Sequence, residues 1–285
     1  MKNGFIYVAT GERYVREAEN AAQSLRRHMP DADITLLTDK AIDPDGTLFN
    51  SVIVIPEPQF SYEDKITGIQ HTPYERTVLL DVDTWVCDDI SELFDALDRF
   101  DIAAALRPRE VRHRNPQLSV FDVAPVSFPG YNTGILVFKK SPAIESLFKH
   151  WQQLQKDYVA MLHNLEDTSA RVSTEQAFRE ALYQSTASIM TLSAEYNCFF
   201  GSIGGSLDKK VKILHGRHPN YEHLERLFNI RSGRRMFIAS RNRHFPIIFD
   251  NKRASLFQLL STILLGHNLK TAIYLLKERL HISRN

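Results

Sequence analysis

Thr77-Val78-Leu79-Leu80-Asp81-Val82-Asp83-Thr84-Trp85-Val86 decides how this chain folds. Its first four residues form an unbroken apolar or β-branched run, as expected of a strand buried on both faces at the centre of a sheet. Comparable runs stand at Gly4 to Ala9, Ile34 to Leu37, Ser51 to Ile55, Ile102 to Ala105, Gly134 to Phe138 and Val211 to Leu214. Helical stretches lie between them. From Tyr14 to His28, Ala18, Ala21, Ala22 and Leu25 share one face while Arg16, Glu19, Gln23 and Arg26 lie elsewhere, the pattern of an amphipathic helix packed on a sheet. Pro142 to about Met161 and Ser173 to Tyr183 read as two more, the second with Ser173 or Thr174 as cap and Glu175 in its first turn. This alternation predicts an α/β domain with a largely parallel sheet. Such sheets collect ligands beyond the carboxyl ends of their strands.

Two carboxylates at such a strand end call for an explanation. Side chains two apart on a strand face the same way, which makes Asp81 and Asp83 neighbours. At roughly 5 Å and an effective dielectric near 20, their repulsion is about 3 kcal/mol. A divalent cation, Mn²⁺ or Mg²⁺, held together with a diphosphate would offset it, because these ions bind through a few carboxylates plus substrate phosphates. The plainer alternative is a helix cap or a pair of solvated loop side chains.

Composition narrows the classes further. A chain of 285 residues with 43% hydrophobic content can bury a sizeable core. Cys87 and Cys198 belong to no CxxC pair or spaced ligand set, which argues against a disulfide framework or zinc module and suits a cytoplasmic enzyme. Phe5-Ile6-Tyr7-Val8-Ala9 reads as a first strand rather than a leader, so no secretion signal is expected. No GxGxxG follows a strand, as a dinucleotide-binding dehydrogenase would require.

The net charge of +1 conceals an uneven distribution: residues 226–285 hold 12 basic against 2 acidic residues, and residues 1–225 hold 23 against 32. This predicts a catalytic domain over 1–225 and a basic, partly apolar helical extension over 226–285. Within the extension, Arg231, Arg234, Arg235, Arg241, Arg243, Lys252 and Arg253 precede an apolar run from Leu256 to Leu265. Ten residues are too few to span a bilayer, which needs about 20. The extension could lie on an anionic membrane surface, pack on the catalytic domain or form an oligomer interface. Arg107, Arg109, Arg112, His113 and Arg114 make a second basic cluster, expected in an acceptor-facing loop.

The segment Tyr74-Glu75-Arg76-Thr77-Val78-Leu79-Leu80-Asp81-Val82-Asp83-Thr84 is followed about 50 residues later by Tyr131-Asn132-Thr133-Gly134-Ile135-Leu136-Val137-Phe138. Together they resemble GT-A-fold glycosyltransferases, and within these the family 8 group of glycogenin and bacterial galactosyltransferases, over roughly residues 4 to 220. The resemblance implies a single GT-A domain with a mixed, mostly parallel sheet. It also implies transfer of a sugar, with retention, from a nucleotide-sugar of the UDP-sugar kind to a glycan or lipid-linked acceptor. By the same resemblance, Tyr7, Ala9, Thr10 and Tyr14 cradle the nucleotide and Lys65 touches the donor. Asp83 is the firmer metal ligand, Asp81 shares metal and ribose, and His215, ending a late strand, is the third protein ligand. Asn132 lies near the transferred sugar, Glu175 lines the reacting face, and Gln176 contacts the donor. Where the family places a Lys and a Pro-Trp pair after the metal histidine, this chain has His215-Gly216-Arg217-His218-Pro219-Asn220-Tyr221, so Arg217 or His218 would supply the charge on the diphosphate.

Each assignment has a plainer competitor. Asn132 also fits a simple turn, Glu175 also suits the positive end of a helix, Lys65 also reads as a surface lysine, and His215 is one of 11 histidines. Two other functions stay in view. A nucleotidyltransferase that makes nucleotide sugars would share the α/β plan, but Thr10-Gly11-Glu12-Arg13 lacks its Gly-rich, Arg-containing phosphate loop. A non-catalytic sugar or nucleic-acid binding module is favoured only by the basic extension, and a nucleic-acid partner is not expected.

Overall fold

The computed structural model describes residues 2–107, 116–164, 173–200, 204–230, 233–238 and 246–250. In chain order its regular elements begin with β1 (Asn3–Ala9), α1 (Glu12–His28), β2 (Ile34–Thr38), β3 (Ser51–Val54), α2 (Glu63–Ile69), β4 (Arg76–Leu80), β5 (Thr84–Val86), β6 (Ile102–Leu106) and β7 (Tyr131–Lys139). They continue with α3 (Pro142–Asn164), α4 (Thr174–Tyr183), β8 (Ile189–Leu192), β9 (Cys198–Phe199), β10 (Gly204–Leu207), β11 (Ile213–His215), α5 (Tyr221–Asn229), β12 (Arg235–Ile238) and β13 (Ile247–Asp250).

The main sheet runs β3-β2-β1-β4-β7-β6-β8. β4 therefore stands at its centre, as its apolar run predicts. β1 pairs parallel with β2 and β4, β2 with β3, and β6 with β8, whereas β7 runs antiparallel between β4 and β6. The reversal of β7 positions the site. With Thr77 opposite Phe138 and Leu80 opposite Ile135, the amino end of β7 lies beside the carboxyl end of β4.

Both faces of the sheet are covered, and the side-chain period of two sorts the residues. Phe5, Tyr7, Val78 and Leu80 face α1 and the 3₁₀ segment Ser91–Asp98, packing on Ala18, Ala21, Leu25 and Phe94. Ile6, Leu79, Leu136 and Phe138 face α2, α3 and α4, packing on Ile66, Trp151 and Phe178. The alanine face of α1 lets that helix lie close to the strands. At its start Gly11 has φ 90°, a conformation costly for any residue with a Cβ, and its N–H donates to Asp39 Oδ1 at 2.6 Å. Buried Trp151 donates from Nε1 to Thr174 O at 2.8 Å and meets the Phe178 ring with centroids 4.9 Å apart, fixing the first turn of α4 on α3.

A smaller core gathers Trp85, Cys87, Cys198, Leu214, Leu224, Phe228 and Phe237 beneath the sheets β5-β11-β9 and β10-β12-β13. Both cysteines are buried and free. Residue 225, where the charge distribution changes sign, lies inside α5. Arg109, Arg112, His113, Arg114 and Arg231, and the apolar run from Leu256 to Leu265, lie outside the described residues. No helix among the described residues is long and apolar enough to cross a membrane.

Candidate active site

The expectation that Asp81 and Asp83 share a strand face is corrected by the structure. β4 stops at Leu80, and Asp81 to Thr84 form a tight turn into β5. Asp81 O accepts twice from Thr84, from N at 3.1 Å and from Oγ1 at 2.7 Å, which closes the turn. The turn is held on both sides: Asp81 N donates to Gly134 O at 2.7 Å, and Gly216 N donates to Asp83 O at 2.8 Å. β11 pairs with β5, placing His215 opposite Thr84. His215 is thus the last residue of its strand, and its Nε2 reaches 3.4 Å from Asp83 Oδ1 and 3.8 Å from Asp81 Oδ2. Asp81, Asp83 and His215 each offer a donor atom, all within 4.8 Å of one another.

The charge argument for an ion is also revised. Lys65 Nζ, projecting from α2, sits 2.9 and 3.1 Å from the two Asp81 oxygens and 3.3 Å from Thr133 O. Arg217 Nη1 lies 3.5 Å from Asp83 Oδ2. The protein itself offsets the repulsion between the carboxylates, so the case for a cation rests on donor geometry. Burial alone would raise the Asp83 carboxyl, but the His215 hydrogen bond and the charges of His215, Arg217 and Lys65 overcome it and hold it at about 2. Asp83 is thereby kept as a ligand-ready carboxylate.

The donor set fits a divalent ion. Oxygen ligands on Mg²⁺ stand about 2.0–2.1 Å from the metal, so neighbouring ligands are about 3 Å apart. The spacings of 3.4 and 3.8 Å need only a small closing movement to match. Gly134 makes room for it: a Cβ there would stand 2.2 Å from His215 Cε1 and 2.9 Å from Asp81 Oδ2. The glycine of Asn132-Thr133-Gly134 is therefore needed for space, not for a turn.

On the other side of Gly134, Asn132 is buried on β7. Its Oδ1 accepts from Gly134 N at 3.0 Å, and its Nδ2 donates to Glu175 Oε1 at 2.8 Å. Glu175 stands in the first turn of α4, where Ser173 is the cap: its Oγ accepts from Glu175 N at 3.3 Å and donates to Glu175 Oε2 at 3.0 Å. Arg107 pairs with the same carboxylate. Gln176 is half-buried beside it.

The remaining expected residues divide. Arg217 is held by Glu17 through Nε and Nη2, at 3.0 and 2.7 Å to Oε2, and lies 5.9 Å from the exposed Tyr14 ring. With Asp83, His218 and Tyr221 it lines a cleft of about 370 Å³ against α1. His218 is buried and accepts from Asn220 N at 3.0 Å. Thr10 donates to Asp64 Oδ2 at 2.8 Å, one residue before Lys65. Ala9 and Tyr7 are buried, and the Tyr7 ring packs in the layer beneath α1, so its hydroxyl faces the core.

Sequence reasoning missed Asn197, whose side chain lies 2.8 Å from both His215 Nδ1 and Asn132 Oδ1. An asparagine ending the short 3₁₀ turn Ala194–Tyr196 carries only the signal of a turn residue. It also missed Glu17, a surface residue of α1 by its pattern.

No protein-family model matches the chain, and no curated protein does. Among solved structures, the galactosyltransferase LgtC in complex with donor and acceptor sugar analogs is similar at 12% identity, over 76% of this chain and 87% of its own, with a TM-score of 0.50. The glycosyltransferase GlyE of Streptococcus pneumoniae is 18% identical over 75% of this chain and 55% of its own, with a TM-score of 0.47. Mouse xyloside xylosyltransferase 1, in its apo form, is 15% identical over 76% of this chain and 98% of its own, also with a TM-score of 0.47. The likeness to LgtC shows a shared fold, the GT-A fold that the sequence leads one to expect.

Proposed function

We propose that the chain is a metal-dependent glycosyltransferase that moves a sugar from a nucleotide-sugar donor, of the UDP-sugar kind, to a glycan or lipid-linked acceptor. The observation that carries this reading is the convergence of Asp81, Asp83 and His215 at the carboxyl end of the central strand, with Lys65 and Arg217 beside them. Asp81, Asp83 and His215 would hold Mn²⁺ or Mg²⁺, which when bound supplies charge stabilisation to a departing nucleoside diphosphate. Lys65 and Arg217 add fixed positive charge where that leaving group develops negative charge. For Arg217 to grip phosphate, its guanidinium exchanges Glu17 for the diphosphate, which matches its planar fork equally well.

The Asn132–Glu175 pair lies across Gly134 from the carboxylates, where the transferred sugar would sit. Asn132 Nδ2 and Glu175 Oε1 can orient sugar hydroxyls, one by donating and the other by accepting. No strong base is needed on the leaving-group side, and the resemblance to retaining enzymes supports retention. A cytoplasmic site of action, with residues 226–285 at an anionic membrane surface, fits the charge distribution of the chain.

The test is a panel of nucleotide sugars incubated with the protein, with Mn²⁺, with Mg²⁺ or with EDTA, following release of nucleoside diphosphate. Metal-dependent release from one donor class is expected. Release of pyrophosphate from a nucleoside triphosphate and a sugar phosphate would instead indicate a nucleotidyltransferase.

A further inference from the structure

Asn197 is neither a metal ligand nor a donor-facing residue of the site, yet it touches both halves. The hydrogen-bond directions follow from one donor whose identity is fixed. Gly134 N–H donates to Asn132 Oδ1, so that atom is the amide oxygen and Nδ2 faces the Glu175 carboxylate, a matched donor and acceptor. Asn132 Oδ1 can only accept, so Asn197 meets it with Nδ2, at 2.8 Å. Asn197 therefore turns Oδ1 to His215 Nδ1, also at 2.8 Å. That oxygen can only accept, so the His215 hydrogen is on Nδ1. Nε2, which faces Asp81 and Asp83, is then the ring nitrogen left to take a cation; with no ion between them it can instead carry a proton toward Asp83. Asn132, Asn197 and His215 are all buried, so water does not compete for these bonds.

We propose that Asn197 is a positioning residue that fixes the tautomer and aim of His215 and, through its other atom, the amide orientation of Asn132. The cation side and the Glu175 side of the site thereby become one hydrogen-bonded unit running His215–Asn197–Asn132–Glu175. This rests on the reading of Asp81, Asp83 and His215 as a divalent-metal site. Groups that orient a metal-binding histidine typically change metal affinity or activity by about 10–100-fold when removed.

The two arms of Asn197 can be separated. Asn197→Ala removes both. Asn197→Asp keeps an oxygen for His215 Nδ1 but has no hydrogen for Asn132 Oδ1. Mn²⁺ binding to the full-length protein, without donor, is read from the free-ion EPR signal, with thermal midpoints as a folding control and kcat and KM for donor turnover measured in parallel. Asn197→Ala is expected to bind Mn²⁺ about 10–100-fold more weakly. Asn197→Asp should bind Mn²⁺ nearly as the unsubstituted protein does while kcat falls by about 10–100-fold. If Asn197→Ala does not fold, Asn197→Asp decides alone: retained Mn²⁺ with lost kcat supports the proposal, and lost Mn²⁺ overturns it. Unchanged Mn²⁺ affinity in Asn197→Ala also overturns it, leaving the metal site standing. An unsubstituted protein that takes up no Mn²⁺ overturns the metal site and this inference together.

Discussion

Replacing Gly134 with alanine would place a methyl carbon 2.2 Å from His215 Cε1, 2.8 Å from Nε2 and 2.9 Å from Asp81 Oδ2. Non-bonded carbons prefer about 3.5–4.0 Å, so the imidazole must retreat by more than about 1 Å. The strand is anchored here by the Leu80–Ile135 pairing with β4 and by Gly134 O, which accepts from Asp81 N at 2.7 Å, so the imidazole is the part that moves. His215 is buried and bonded to Asn197, so its retreat breaks that contact and takes Nε2 away from Asp83. Overpacking of this kind costs about 1–3 kcal/mol. For a chain of this size that lowers the thermal midpoint by about 2–4 °C per kcal/mol. Loss of an aligned ligand should weaken Mn²⁺ by at least the about 10–100-fold typical when only an orienting neighbour is lost. Circular dichroism melts and Mn²⁺ titrations on Gly134→Ala measure both effects. Combining it with His215→Ala removes the two imidazole contacts and leaves the one to Asp81 Oδ2, so the double variant should be less destabilised than the two single changes added together. A Gly134→Ala protein with the original midpoint and Mn²⁺ affinity would refute the assigned position of His215.

Other expectations follow from the charges. Lys65→Met removes the cation that occupies Asp81, so donor KM should rise while Mn²⁺ alone binds more tightly; weaker Mn²⁺ binding in a titration would contradict this role. Asp39 is held below its ordinary value of 3.8, chiefly by the Gly11 N–H. Its depressed value means that the stabilisation is present above 3.8 and lost as pH falls through the folded-state value, so Asp39→Asn should lower the midpoint at pH 7 but not in strong acid. The basic residues of 226–285 should bring the full chain down with anionic but not neutral vesicles, in a manner abolished at 1 M salt, where the Debye length is about 3 Å. Equal sedimentation with both vesicle types would exclude that attraction.

What the sequence made legible was what local patterning encodes. The apolar run before Asp81 announced a central strand because a strand covered on both faces must be apolar at every position, and β4 has that placement. The cap at Ser173 and the alanine face of α1 were readable for similar reasons. The turn at Asp81–Thr84 was not readable, because the groups that hold it, Gly134 O on β7 and Gly216 N just after β11, lie far away in the chain. Nor was the neutralisation of the two carboxylates: Lys65 and Arg217 reach them from a separate helix and loop. Asn197 stayed hidden for the same reason, since its two partners lie 65 and 18 residues away.

The central claim, that Asp83 and its neighbours hold the ion on which sugar transfer depends, is tested most directly by Mn²⁺ titrations of nucleotide-sugar turnover for the unsubstituted protein and for Asp83→Ala. Saturable dependence on Mn²⁺ in the first, and at least a roughly 100-fold loss with no saturation in a variant that still melts cooperatively, is the predicted result. Full turnover by Asp83→Ala, or turnover by the unsubstituted protein that is indifferent to EDTA, would contradict the account.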